Sequence, residues 1–192
     1  MMDPKLKVAY DKSNEVVERL KTNNSGMVST AHLIEIVQDY LDCSISVSVC
    51  DFSKIDSDIK TCGAMMLTQK DDNGKRKALI VLNQNMDSRF QRFSLVHELG
   101  HLMVDGESIF QENSNYRVST HVDYNVTSIS QEKYNGNDFL LREQNANIFA
   151  LRTLMPHNAF FDALKRFDSL SKVADYFGLS SEAVISRIML VE

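Results

Sequence analysis

His97-Glu98-Leu99-Gly100-His101 holds the residue types best suited to chemistry in this chain. Residues four apart share one face of a helix, so both imidazoles can reach a single metal ion. Glu98, turned by about 100° from His97 around the helix, can sit beside a metal-bound water without being a ligand, where a general base is needed. Zinc lowers the pKa of its bound water toward about 7, so hydroxide becomes available near neutral pH. The plainer reading makes one histidine a satisfied core residue and leaves the other exposed. Packing alone gives no reason for two histidines to enclose a glutamate at this spacing.

Two histidines do not hold a catalytic zinc, which needs a third protein ligand and an open position. Glu143 is one candidate, in Arg142-Glu143-Gln144-Asn145-Ala146-Asn147-Ile148-Phe149-Ala150. If it is the ligand, Asn147 falls one turn later on the same face, where its amide oxygen can hold the outer ring N–H of a ligating histidine. Otherwise Glu143 reads as a solvated carboxylate near a helix start, favoured by the macrodipole. His121 and His157 are rival third ligands, and spacing leaves the three open; His32 reads as structural or exposed.

These residues need elements to position them. Apolar positions over residues 5–21 predict a surface helix, and a second is expected from Ser29 or Thr30 to about Leu41. Residues 45–52 alternate like a half-buried strand. Gly63–Leu67 and Ala78–Leu82 flank Asp71-Asp72-Asn73-Gly74, a hairpin signal, so the sheet is expected to be built from local hairpins. A helix capped by Asp87 or Ser88, with Gln91 completing a capping box after Ser88, should run to about Val104. Gly100 in its interior costs about 1 kcal/mol against alanine, which suggests close backbone packing there. Residues 105–137 are polar and read as a long surface loop or irregular hairpin. Helical periodicity returns over 139–154 and stops at Met155-Pro156, followed by short helices near 159–166, 170–177 and 181–190.

Composition narrows the class. The chain has 192 residues, 43% hydrophobic and 24% charged, with seven glycines and two prolines, as a one-domain globular protein does. A net charge of −5 argues against broad attraction to phosphate. No apolar run approaches a membrane span, and MMDPKLKVAY has no apolar core behind its lysines, so a cytoplasmic location is expected. Cys43, Cys50 and Cys62 form no obvious disulfide framework and read as small buried apolar residues. Met65, Met66, Met86, Met103 and Met155 read as core filler.

Arg92-Phe93-Ser94-Leu95-Val96-His97-Glu98-Leu99-Gly100-His101-Leu102, then Glu143 to Ala150, then Leu154-Met155-Pro156, resemble the ImmA/IrrE family of metallopeptidases over about residues 60–190. The resemblance implies His97, His101 and Glu143 as zinc ligands and Glu98 as catalytic base. It implies an α+β fold, a small mixed or antiparallel sheet packed against the zinc-binding helices. The expected organisation is a metallopeptidase domain over 1–156, with a polar insert at 105–137, and a C-terminal helical segment over 157–192 packed on it. A His₂Glu set also accepts other divalent ions such as manganese, with availability deciding.

The resemblance further implies the substrate: a helix-turn-helix repressor of a phage, mobile-element or stress-response operon, cleaved to derepress it. The strand Ala78-Leu79-Ile80-Val81-Leu82-Asn83 is expected to be an edge to which an extended substrate segment pairs. Tyr116, His121, Tyr124 and Arg142 are the candidates for stabilising the transition state. Forty-one residues separate His101 from Glu143, longer than the family's usual interval, and the insert could cover the cleft. Asn147 stands where the family admits Asp, a neutral partner that raises ligand basicity less.

Ala174, Gly178 and Val184 are spaced as in a helix-turn-helix. Residues 157–192 hold four Lys and Arg against five Asp and Glu, which disfavours direct DNA binding. Packing or repressor docking is the expected role. The competing function is a non-catalytic regulator that binds a repressor or DNA around a structural zinc. Glu98 speaks against it, because a structural site needs no base and closes with a fourth protein ligand.

Overall fold

The computed structural model describes residues 4–20, 26–55, 62–71, 73–106, 108–111 and 137–190. In order these form α1 (Lys7–Arg19), α2 (Thr30–Leu41), β1 (Cys43–Cys50), a 3₁₀ turn (Phe52–Lys54), β2 (Ala64–Lys70) and β3 (Arg76–Asn83). Then come α3 (Ser88–Asp105), α4 (Ser108–Gln111), α5 (Asn137–Leu154), α6 (His157–Arg166), α7 (Leu170–Phe177) and α8 (Ser181–Met189). The fold is α+β and mostly helical, with one small mixed sheet.

Local chemistry explains the boundaries. The Ser29 hydroxyl accepts from the His32 amide to start α2, whose buried Leu33, Ile36, Val37 and Leu41 follow helical spacing. At the β2–β3 turn, Asp71 Oδ1 accepts from the Asn73 and Lys75 amides, and Gly74 takes φ of 78°. Asp87 caps α3 by accepting from the Arg89 and Phe90 amides. The capping box expected at Ser88 and Gln91 does not form. The Gln91 amide donates instead to the carbonyls of Asn83 and Met86, which binds the start of α3 to the end of β3.

Two expectations about the sheet are corrected. Its order is β1-β3-β2, with β2 antiparallel to β3 but β1 parallel to it. The β2–β3 hairpin therefore forms, while β1 joins through a crossover rather than a hairpin. Ala78, Leu79, Ile80, Val81, Leu82 and Asn83 lie on β3, the central strand, and are paired on both sides. A substrate segment cannot add there, since no backbone edge is left open.

Residues 93–103 of α3 are buried without interruption, so this helix runs through the core rather than over it. The sheet's inner face (Ile45, Met66, Ala78, Ile80, Leu82), α3, α5 and the C-terminal helices share one apolar core. Phe160, Val173, Ala174, Phe177, Leu179 and Val184 belong to it alongside Val16 and Leu33 from the N-terminal helices. The turn between α7 and α8 is built as expected: Gly178 closes α7 at φ of 65° and Ser180 caps α8. Apart from the short α4, the insert falls largely outside the described residues, and its bearing on the cleft with it.

Candidate metal centre

The site is built where α3 and α5 touch. Gly100, on the α3 turn between His97 and His101, lies directly against Ala146, on the α5 turn between Glu143 and Asn147. A Cβ on Gly100 would stand 3.0 Å from Ala146 Cα and O and 3.1 Å from Phe149 Cδ1. Glycine thus sets the helix separation that lets a carboxylate from one helix meet two imidazoles from the other. Gly100→Ala should gain about 1 kcal/mol in helix propensity yet force α5 outward. The expected result is metal affinity reduced by roughly tenfold or more with no rise in Tm, read by chelator competition and thermal melting.

Three buried side chains converge. His97 Nε2 and His101 Nε2 are 3.1 Å apart, and each lies 3.2 Å from an oxygen of Glu143. Among the described residues this is the one group of three ligand-type side chains that comes together so closely. Bonds of about 2.0–2.1 Å meeting at the tetrahedral angle would set ligand atoms about 3.3–3.4 Å apart, close to the separation of the two imidazole nitrogens and to the approach of each to its own Glu143 oxygen, Oε2 for His97 and Oε1 for His101. His97 Nδ1 is 2.8 Å from Asn147 Oδ1. The amide oxygen accepts, so the proton sits on Nδ1 and the lone pair of Nε2 faces the site. Accordingly Glu143 Oε2, though 3.2 Å from that nitrogen, is buried without a hydrogen-bond donor. A divalent cation satisfies all three groups at once.

Without metal, a proton serves in its place. Burial opposes charge on His101, but the carboxylates of Glu143, Asp105 and Glu98 outweigh it and push its pKa up to about 10. Burial likewise works against the charge of Glu143, yet the protonated His101 ring holds its carboxyl well below the ordinary range. A ligating imidazole must be neutral, so metal uptake displaces the His101 proton. Near pH 7 about one proton should leave per ion bound, and affinity should rise about tenfold per pH unit until it flattens near pH 10. Calorimetry in buffers of different ionisation enthalpy reads the proton count directly.

Glu98 is 1% exposed on the same stretch of α3. Its charge reaches Cys62, whose thiol is pushed up to about 11, mainly by burial and then by Glu98. Cys62 and Cys43 are buried and behave as apolar filler, while Cys50 is half-buried. His157 starts α6, exposed, its ring against Phe161, and is not among the converging side chains. His32 sits 3.2 Å from Glu35 at the start of α2. Tyr116, His121 and Tyr124 lie outside the described residues. Arg142 is described, with Nε 3.7 Å from Asp105 Oδ1.

A family model for the peptidase M78 type, described as the IrrE N-terminal-like domain, matches residues 55–189. The chain belongs to that family. The match runs from the approach to β2 through α8, so the M78 region contains the whole triad, while α1, α2 and β1 precede it. No curated protein matches the chain. Among the described residues, no helix is long and apolar enough to cross a membrane. The M78 assignment makes this a metallopeptidase-type protein, and the convergence of His97, His101 and Glu143 gives it a site able to hold the metal.

One residue at the site went unnoticed in the sequence. Asp105 ends α3 one turn beyond His101, its side chain 7% exposed and Oδ2 3.7 Å from His101 Nδ1. The signal was available: the same four-residue step that joins His97 to His101 joins His101 to Asp105.

Proposed function

We propose that the protein is a zinc-dependent endopeptidase, located in the cytoplasm, that cleaves a helix-turn-helix repressor at one site and so releases its operon. The observation that carries the zinc reading is the convergence of three buried side chains, with the two Nε2 atoms 3.1 Å apart and each 3.2 Å from one oxygen of Glu143, on two helices held by Gly100. His97, His101 and Glu143 would hold the ion. Bound there, zinc supplies an acidified water and a Lewis acid for a peptide carbonyl. Glu98 takes the proton from the attacking water and passes it to the leaving amine. Burial keeps that carboxylate out of bulk solvent, where its proton would be lost to competing water.

The substrate-pairing role passes from β3 to β2. The Asn83 amide donates to the Gly63 carbonyl, so strand alternation turns the backbone groups of Ala64, Met66 and Thr68 away from β3. That edge carries no strand among the described residues. It begins beside the catalytic helix: a Cβ on Gly63 would fall 2.5 Å from Phe90 Cε1, and Cys62 feels the charge of Glu98. An extended segment added to β2 would therefore run along α3. The repressor reading draws its support from the family resemblance, and the acidic balance of the C-terminal helices favours a protein partner over DNA.

Mixing the zinc-loaded protein with intact candidate repressors tests this. One discrete cut, abolished by chelation, is expected. Loaded protein that leaves every such repressor whole while cutting unrelated unfolded chains would overturn the repressor assignment.

A further inference from the structure

We infer that Asp105, held by Arg142, is the positioning residue for His101, and that it ties the two metal-bearing helices together. The inference rests on reading His97, His101 and Glu143 as a metal site. The two histidines are supported differently. His97 donates its outer N–H to a neutral amide, Asn147, on α5. His101 has a buried outer nitrogen with no hydrogen-bond partner at contact distance, and what faces it 3.7 Å away is the carboxylate of Asp105.

With Nε2 bound to a metal, His101 is neutral and must carry its proton on Nδ1, aimed at Asp105. A small rotation of either side chain closes 3.7 Å to a charge-assisted hydrogen bond. The other oxygen of Asp105 lies 3.7 Å from Arg142 Nε, and Arg142 immediately precedes Glu143 on α5. The guanidinium lies toward one carboxylate oxygen while the other faces the histidine. A chain of contacts therefore runs from the helix of Glu143 through Arg142 and Asp105 to His101, closing a loop that the direct His101–Glu143 approach completes. Arg142 is better employed here than as a stabiliser of the transition state. The asymmetry makes His101 the more basic of the two imidazole ligands, since its outer N–H meets a carboxylate and that of His97 an amide.

The experiment compares full-length wild type, Asp105→Asn, Asp105→Ala and Asn147→Ala. Zinc affinity is measured by chelator competition, and the ring N–H resonances of the zinc-loaded proteins are recorded by NMR. Affinity should fall about tenfold in Asp105→Asn, which keeps an acceptor, and about a hundredfold in Asp105→Ala. The His101 Nδ1–H resonance should shift or exchange away in the Asp105 variants while that of His97 stays in place, and Asn147→Ala should show the reverse. A general loss of packing would move both. Zinc bound equally by wild type and Asp105→Ala, with the His101 resonance unmoved, would overturn this inference and leave the metal site standing. Failure of wild type itself to bind zinc would remove the metal site, and this inference with it.

Discussion

Glu98→Gln should retain one metal ion per chain, keep its Tm within about a degree, and lose peptide cleavage by roughly 10²–10⁴-fold. The size follows from what the residue is asked to do. Glutamine matches glutamate in shape, so a side chain only 1% exposed can be exchanged without opening a cavity. It cannot accept a proton, so the attacking water keeps its own and the leaving amine receives none. None of the three converging ligand atoms belongs to Glu98, so metal uptake should not change. The Cys62 thiol offers an internal check: it should ionise more easily once the neighbouring charge is gone. Cleavage retained at the wild-type rate would take Glu98 out of the reaction.

Metal removal should produce the largest change in stability. The ligands come from helices far apart in sequence, α3 and α5, and only the folded chain brings them together. Binding to the folded state alone, with free metal at about a thousand times its Kd, stabilises by about 4 kcal/mol. For a chain of this size each kcal/mol moves Tm by about 2–4 °C, so chelation should lower it by roughly 10 °C. His97→Ala should melt at one temperature with or without chelator. The effect should also depend on pH. In the metal-free protein His101 is raised from 6.5 to about 10. Its contribution is thus complete below about pH 6.5 and lost as pH rises through about 10. Glu143, held low, contributes above its ordinary value of 4.5 and loses that contribution as pH falls through its depressed folded value. The metal-free protein therefore weakens above neutrality just as metal binding strengthens, and the chelation-induced drop in Tm should grow from pH 7 to pH 9. A drop that shrinks over that range would contradict the exchange of proton for metal.

Much of this arrangement was legible because it is local. The four-residue step from His97 to His101, the Asp71–Gly74 turn, the Ser29 cap, the turn at Gly178 and the stop at Pro156 each follow from a few neighbouring residues, and the helices they bound form as expected. Gly100 also announced itself, since a glycine inside a helix is unfavourable unless a backbone comes close. Long-range pairing was not legible. Nothing within residues 45–52 tells whether the strand pairs parallel or antiparallel, because the alternation suits either; the crossover that makes β3 central is a tertiary fact, and so is the exposure of Val47 and Val49, which the alternation predicts to be buried. Gln91 shows the same limit, since a glutamine at a capping position has carbonyls elsewhere to choose from. Spacing alone could not select Glu143 over His121 and His157. Closure of α5 on α3 is what brings its carboxylate to both imidazoles. Asp105 was overlooked because a helix-terminal acid has many ordinary explanations until the ring it faces is in view.

Metal content is the most direct test of the central claim. Wild type, His97→Ala and Glu143→Ala would be purified, stripped, repleted with zinc, freed of excess and analysed for metal per chain. About one zinc in wild type and essentially none in either variant is the expected result. A wild type that takes up no zinc, or a Glu143→Ala protein that keeps it, would contradict a His₂Glu centre. The former would leave the chain a binding module on a peptidase scaffold.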